Sequence, residues 1–197
     1  MTTTTRNVRL AGVGPVEVTF DERGEGQPFL LLHGGGGPPT VASFAELFAT
    51  THPVRIISPT HPGFGGTVRP EALKTIPQLA ALYIALVDML ELEAVTVVGN
   101  SIGGWIAAEI GLLESTRVSD IVIIDGTGIE VPGHQVADFF SLTMEQVFKL
   151  SYHNPEPFRF DPLSLPPAAQ AIAAGNRAAL AVYAGNAMSD QSLRERL

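Results

Sequence analysis

One serine in this sequence of 197 residues lies in a pattern that could perform nucleophilic chemistry. The segment Val-Thr-Val-Val-Gly-Asn-Ser-Ile-Gly-Gly-Trp (residues 95–105) contains Gly-x-Ser-x-Gly with Ser101 at its centre. The β-branched run before the serine predicts a strand, and the small residues after it predict the start of a helix. On such a strand-to-helix turn the serine backbone is strained, and the N–H groups of the helix face the oxygen that becomes negative during attack on a carbonyl. Ser101 is therefore the candidate nucleophile.

A second glycine-rich turn lies upstream, where His33 is followed by four glycines at positions 34–37. An apolar run over residues 29–32 precedes it and predicts a buried strand. A serine nucleophile needs at least two preorganised donors for the developing oxyanion. Glycines allow backbone N–H groups to face a bound substrate, so this turn is expected to supply one donor, and a flexible loop is the alternative interpretation.

The remaining elements alternate between strands and helices, and this order predicts an α/β fold with a mostly parallel sheet. Residues 8–20 are expected to form a two-stranded hairpin. Thr75 and Gln78 have the spacing of a capping box and predict the start of a helix. Buried strands are predicted over residues 29–32, 54–58, 95–98 and 118–124.

Beyond residue 129 the sequence becomes helical and rich in alanine and proline. Thr143 is expected to open a short helix, and Ser189 to cap a last one. Between them, an alanine-rich helix is predicted over residues 168–183, with an interruption at Gly175 and Asn176.

Three motifs carry a resemblance to a known family. They are Leu-Leu-Leu-His-Gly-Gly-Gly-Gly (residues 30–37), His-Pro-Gly-Phe-Gly-Gly (61–66) and Gly-Asn-Ser-Ile-Gly-Gly (99–104). In this order the chain resembles a serine-nucleophile, cap-containing member of the α/β-hydrolase-fold superfamily over roughly residues 8–197. The resemblance implies an α/β-hydrolase-type sheet with flanking helices, a core over residues 1–129 and a helical cap segment over residues 130–197.

The resemblance also implies roles for individual residues. One oxyanion donor is the backbone N–H of Ile102, and the other is that of Gly35, with Gly36 as the near alternative. His33 is expected to anchor its loop rather than act as a base. Asp125 follows the strand after the elbow helix and is the candidate acid. An aspartate that only caps its own Asp-Gly-Thr-Gly loop is the alternative interpretation.

The family pattern continues past the cap with further strands that carry the usual acid and the general-base histidine. The resemblance therefore implies that this chain is C-terminally incomplete and lacks both groups. A parallel sheet without its last strands exposes an apolar edge, which favours pairing with another chain, so a homo-oligomer is one expectation.

Composition restricts the partners. A net charge of −8 argues against nucleic acid and anionic membranes, which attract basic surfaces. The sequence contains no cysteine, no cluster with metal-ligand spacing and no phosphate-binding glycine loop, so no cofactor is expected. Residues 1–6 have no apolar signal segment and are expected to be frayed, which makes the cytoplasm the default location.

Two classes of function follow. The first is a serine hydrolase that acts on a small ester or related acyl or carbonyl compound through an acyl-serine intermediate, with hydrolysis of a carbon–carbon bond as another use of the same serine. Ser101 in place of aspartate argues against the epoxide and haloalkane branches of the family. The second class is a non-catalytic or truncated hydrolase-fold protein that binds a small molecule or a partner.

Overall fold

The computed structural model describes residues 1–134, 136–159, 161 and 164–197. Its main sheet has six strands in the order β1-β2-β4-β3-β5-β6. These strands are β1 (Thr2–Leu10), β2 (Gly14–Arg23), β3 (Gln27–Leu32), β4 (Val54–Pro59), β5 (Val95–Asn100) and β6 (Val118–Ile124), and a separate two-stranded sheet pairs β7 (Gly128–Ile129) with β8 (Ser189–Asp190). The helices are α1 (Pro39–Thr51), α2 (Ile76–Met89), α3 (Ile102–Leu112), α4 (Met144–Ser151), α5 (Pro167–Ala184) and α6 (Leu193–Arg196), with a 3-10 turn at Glu156–Phe158.

The topology confirms the predicted α/β class. β3 pairs in parallel with both β4 and β5, and β5 pairs in parallel with β6. β1 and β2 form an antiparallel hairpin that joins the sheet through β4. Because the carboxyl ends of the four parallel strands lie at one edge of the sheet, the loops that follow them are brought together there.

The expectation of a frayed N-terminus is wrong. Thr2 pairs with Glu22 and Arg6 with Val18, so β1 begins almost at the first residue. The hydroxyl of Thr5 also hydrogen-bonds that of Thr19 across the strands at 2.9 Å. Threonine favours strands and cross-strand pairing, which explains why a segment of low hydrophobicity is ordered here.

The two faces of the sheet are covered by different helices. Leu30 and Leu32 point into the large core that α2 and α3 complete, whereas Leu31 points into a smaller cluster with Val41 and Ala45 of α1. Successive side chains of a strand alternate between faces, so a strand buried on both sides is apolar throughout.

Local capping explains two helix starts, but two other predictions were wrong. Capping boxes at Thr75 and Thr143 open α2 and α4 as predicted. The predicted interruption of the alanine-rich helix is absent, since α5 runs continuously from Pro167 to Ala184. Ser189 is not a helix cap. It pairs with Gly128 in the small sheet, and Ser192 precedes α6.

The segment predicted as a cap is connected to the rest of the chain by this small sheet and by α5. Leu180 and Tyr183 of α5 belong to the same buried cluster as α2 and α3. The boundary between a core that ends at residue 129 and a cap that begins at residue 130 stays a prediction. Residues 135, 160, 162 and 163 of the predicted cap lie outside the described residues.

β6 ends the main sheet and leaves apolar side chains exposed. Val122, Ile123 and Ile124 have exposed fractions of 43%, 46% and 42%. Among the described residues no further strand pairs with β6, so this edge of the main sheet is unpaired. None of the helices among the described residues combines the length and hydropathy needed to cross a bilayer.

Arg196 neutralises a carboxylate inside the fold. Glu109 on α3 is only 4% exposed and accepts two hydrogen bonds from the Arg196 guanidinium, at 2.8 and 2.7 Å. We expect Arg196→Ala to lower the free energy of unfolding by about 2 kcal/mol, because it leaves a buried charge without a partner while the arginine itself is partly exposed. Urea titrations of this variant and of Arg194→Ala, an exposed arginine of the same helix, provide the test. Equal stability of the two variants would contradict it.

Candidate active site

The turn between β5 and α3 holds Ser101 in a strained backbone conformation. Its φ is 55° and its ψ is −117°, a combination that non-glycine residues rarely adopt. The Ser101 N–H donates to Ile124 O at 3.0 Å, and the Ser101 carbonyl accepts from the N–H groups of Gly104 and Thr127. The turn is thus fixed from both β6 and α3, which is the geometry expected of a nucleophile elbow.

Glycines flank Ser101 because the backbones meet without room for side chains. A methyl group on Gly99 would lie 2.1 Å from Gly103 O, and one on Gly103 would lie 2.4 Å from Leu32 O. Neither distance can accommodate a carbon atom, so the start of α3 packs directly on the end of β3. The sequence pattern Gly-x-Ser-x-Gly therefore has a steric cause in this structure.

The same contact brings the glycine-rich turn to the serine. A methyl group on Gly34 would lie 3.4 Å from Ser101 Cβ and 2.8 Å from Asn100 Oδ1. The two motifs that the sequence analysis singled out are therefore neighbours in space, although they lie more than 60 residues apart in the sequence.

Hydrogen bonds fix the first peptide of the glycine turn. The Gly34 carbonyl accepts from His33 Nδ1 at 2.8 Å and from the Gly37 N–H at 3.0 Å. Because the N–H and C=O of a trans peptide point in opposite directions, these bonds also orient the N–H of Gly35. Among the described residues, the N–H groups of Gly35, Gly36 and Ile102 donate to no protein acceptor. The role of oxyanion donor that the sequence analysis gave these groups stays a prediction.

Thr40 supports this turn from the first turn of α1. Its hydroxyl accepts from the Gly34 N–H at 3.1 Å and donates to Gly37 O at 2.8 Å. The helix itself begins at Pro39, with Pro38 before it and no side-chain cap.

His33 and His61 form a buried pair at the carboxyl ends of β3 and β4. Their ring centroids are 3.7 Å apart, and both side chains are almost fully buried. His33 Nε2 accepts from the His61 N–H, so His33 carries its proton on Nδ1. His61 Nε2 donates to His33 O, and His61 Nδ1 accepts from the Tyr83 hydroxyl at 2.5 Å. All four ring nitrogens are therefore engaged.

This environment keeps both rings neutral. Burial lowers the pKa of His33 to about 4, against a smaller opposing effect of its hydrogen bond to Gly34. Burial lowers the pKa of His61 as well, and repulsion from His33 lowers it further. Neither ring has a free nitrogen to accept the Ser101 proton. The expected anchoring role of His33 agrees with this geometry, and His61 has a matching role that the sequence did not reveal.

Asp125 lies at the end of β6, directly after the residue whose carbonyl accepts the Ser101 N–H. It is exposed, and its φ of 47° is in the left-handed region that short polar side chains tolerate. Among the described residues, no histidine hydrogen-bonds Asp125 or the Ser101 hydroxyl. The position suits an acid near the elbow, and the assignment of Asp125 as that acid stays a prediction.

A strained serine on a strand–turn–helix, beside a glycine turn at the carboxyl edge of a mostly parallel sheet, is the arrangement found in the alpha/beta hydrolase fold. The family model described as "Alpha/beta hydrolase family" matches residues 29–195. The chain belongs to the alpha/beta hydrolase family.

Curated relatives are similar over part of the chain. A 2-hydroxy-6-oxo-2,4-heptadienoate hydrolase of Pseudomonas putida F1 is 32% identical over 127 residues, which are 61% of this chain and 45% of the relative. A 2-hydroxymuconate semialdehyde hydrolase of Pseudomonas putida is 32% identical over 113 residues, 56% of this chain and 40% of the relative. The match thus spans less than half the length of each of these relatives.

Solved structures share the fold at lower identity. A thermophilic esterase from Thermogutta terrifontis superposes with a TM-score of 0.67 at 20% identity, covering 94% of this chain and 72% of the esterase. A meta-cleavage product hydrolase from Pseudomonas fluorescens IP01 gives a TM-score of 0.61 at 23% identity, with 95% and 73% of the two chains covered.

The strain at Ser101 should be measurable as stability. Glycine adopts a φ of 55° freely, whereas alanine meets the same steric penalty as serine. We expect the free energy of unfolding of Ser101→Gly to exceed that of Ser101→Ala by about 1 kcal/mol. Glycine relieves the strain in the folded state, and its greater conformational freedom in the unfolded state offsets part of that gain. Urea denaturation of the two variants measures the difference, and a less stable glycine variant would show that the turn is not strained.

The buried histidine pair should make stability fall in mild acid. The unfolded chain takes up a proton on His33 near pH 6.5, but the folded chain does so only near pH 4. The unfolded state therefore binds more protons in this range, and the free energy of unfolding should fall by roughly 3 kcal/mol for His33 between these pH values. His61 acts in the same direction.

Urea titrations from pH 7.5 down to pH 4 measure this dependence. The exposed His153→Ala variant should follow the parent protein. A stability that stays constant between pH 6.5 and pH 4.5 would show that the pair is charged in the fold, against the arrangement described above.

Proposed function

We propose that this chain provides the nucleophile and the oxyanion site of a hydrolase that cleaves small carbonyl compounds through an acyl-serine intermediate. The main support for this proposal is the position of Ser101. Its backbone is strained in the turn between β5 and α3, and the glycine-rich turn packs against it. A structural serine would gain nothing from a disfavoured φ and ψ, whereas a nucleophile gains exposure of its hydroxyl beside free N–H donors.

The chemistry assigns one task to each group. Ser101 Oγ bonds to the carbonyl carbon as its proton passes to a base, and the N–H groups of Ile102 and of Gly35, with Gly36 as the alternative, bind the oxygen that takes the charge. Collapse of this intermediate breaks the bond to the leaving group, which takes up a proton. Water then attacks the acyl-serine, releases the acid and restores the hydroxyl.

The substrate class that we favour is a 2-hydroxy-6-oxo-dienoic acid, cleaved at a carbon–carbon bond. Its support is the similarity to the two curated relatives, whose names specify such compounds. A small ester is the second substrate class, since the same serine and the same oxyanion donors perform ester hydrolysis.

A base is needed in addition, and the described histidines do not provide it next to Ser101. His33 and His61 are engaged in the buried pair. His52 follows the last turn of α1, which is roughly 20 Å from the glycine turn at the start of that helix, given 1.5 Å per residue. His134 and His153 are exposed in the segment after β7. The base that Ser101 needs is therefore not assigned to any of these histidines in the arrangement described.

Fluorophosphonate labelling tests this proposal, because the probe phosphonylates an activated serine. We expect one adduct per chain by intact mass, formed slowly by the chain alone and none with Ser101→Ala. Added imidazole at tens of millimolar should raise the labelling rate about tenfold, because it can act as a general base toward the Ser101 hydroxyl. Ethanol-quenched time courses give the rates.

Two comparisons define the outcome. Sodium phosphate at the same pH and ionic strength controls for buffer effects on the probe. A folded protein that gains no adduct even with imidazole would contradict the proposal and favour the other class of function, a non-catalytic protein with the hydrolase fold. The rates of hydrolysis of a 2-hydroxy-6-oxo-dienoate and of a p-nitrophenyl ester, each measured with imidazole, are then compared to distinguish the two substrate classes.

A further inference from the structure

One buried amide connects α5 to the loops of the candidate active site. Asn176 is only 5% exposed in a helix otherwise rich in alanine. Its Nδ2 donates to Gly36 O at 3.0 Å, and its Oδ1 accepts from the Gly65 N–H at 2.8 Å. The Gly36 carbonyl and the Gly65 N–H belong to different loops, which lie 140 and 111 residues before Asn176 in the sequence.

The helix face around Asn176 is fitted to the same loops. Leu180 lies one turn further along, where its Cδ2 would be 3.0 Å from a methyl group on Gly35. Tyr183 follows at the next turn, and its hydroxyl donates to Pro62 O at 2.9 Å. Residues spaced by four and seven positions lie on one face of a helix, so this face of α5 packs along the glycine turn and the loop after β4.

The amide acts on the part of the glycine turn that His33 does not hold. His33 and the Gly37 N–H fix the peptide between Gly34 and Gly35 through the Gly34 carbonyl. Asn176 fixes the peptide between Gly36 and Gly37 through the Gly36 carbonyl. The peptide between them, which carries the Gly36 N–H, is therefore restrained from both sides. Without such restraints, consecutive glycines sample many conformations and present no fixed donors.

We propose that Asn176 is a positioning residue for the oxyanion donors, a role that rests on the proposed function of Ser101. Asparagine suits it because one side chain must donate to a carbonyl and accept from an N–H at the same time. Aspartate would keep the acceptor for Gly65 but would place an anion against the Gly36 carbonyl. Alanine would remove both bonds and leave a part-buried backbone N–H without its partner.

The test compares Asn176→Ala and Asn176→Asp with Val182→Ala, an exposed side chain of the same helix. Fluorophosphonate labelling with imidazole is measured over a range of probe concentrations, which separates the maximal rate from the half-saturating concentration. We expect both Asn176 variants to lower the maximal rate by about tenfold or more, with the half-saturating concentration nearly unchanged, because misplaced donors stabilise the transition state less. Val182→Ala should match the parent.

Amide hydrogen exchange gives a second readout that does not depend on labelling. The Gly37 N–H, bonded to Gly34 O, should lose protection in both Asn176 variants. The Gly65 N–H should lose it in Asn176→Ala and keep it in Asn176→Asp, which retains the acceptor. If Asn176 had a purely structural role, the variants would change global stability, and the exchange protection of Gly37 and Gly65 would not differ in this way.

The outcomes separate the two proposals. Unchanged labelling and unchanged Gly37 protection in folded variants would overturn the role of Asn176. If the alanine variant does not fold, the aspartate variant decides alone, because it preserves the shape of the side chain. If the parent is never labelled, the proposed function fails, and loss of Gly37 protection in the variants would still establish that Asn176 holds the turn.

Discussion

The close contact between the start of α3 and the end of β3 governs the arrangement of this site. Gly103 lies so near the carbonyls of Leu32 and His33 that no side chain fits between the helix and the strand. This contact places the Ser101 turn beside the glycine turn and gives α3 its direction across the sheet. Any larger residue at position 103 would move the helix away from β3 and separate Ser101 from the glycine turn. The strained backbone of Ser101 is stabilised by this packing and by the hydrogen bonds of the turn.

The buried histidine pair supports the other half of the site in a different way. Histidine contributes here as a neutral group with one donor and one acceptor, which can join two loops in a dry environment. The pair connects the end of β3 to the end of β4, and Tyr83 connects it to α2. Polar groups buried in this manner stabilise a single arrangement, because each alternative leaves an unsatisfied donor or acceptor. The two histidines therefore join the loops after β3 and β4, and their ring nitrogens are engaged in doing so.

Local patterns in the sequence were sufficient for most of the fold, but not for contacts between distant segments. Continuous apolar runs predicted the parallel strands, and the spacing of Thr75 and Gln78 predicted the start of α2, because both signals arise within a few residues. The interruption expected in α5 followed from the low helix propensity of Gly175 and Asn176. Tertiary hydrogen bonds and packing outweigh that propensity, which is worth only about 1 kcal/mol.

The same distinction between local patterns and distant contacts applies to the candidate site. Ser101 and the glycine turn were recognisable because each motif is contiguous in the sequence. The roles of His61 and Asn176 depend on partners in other loops, and no spacing rule indicates them. Asn176 appeared in the sequence only as a helix-weakening residue, and its buried amide becomes informative once the fold brings Gly36 and Gly65 to it.

The unpaired edge at β6 lies next to the candidate active site. Exposed Val122, Ile123 and Ile124 lie on the strand that leads directly into Asp125 and shares a hydrogen bond with the Ser101 turn. A strand from another molecule that paired here would lie about 5 Å from that backbone and close to the Ser101 turn. Pairing at this edge would therefore change the surroundings of Ser101 through the same strand. Protein concentration is for this reason a variable to hold constant when labelling rates are compared.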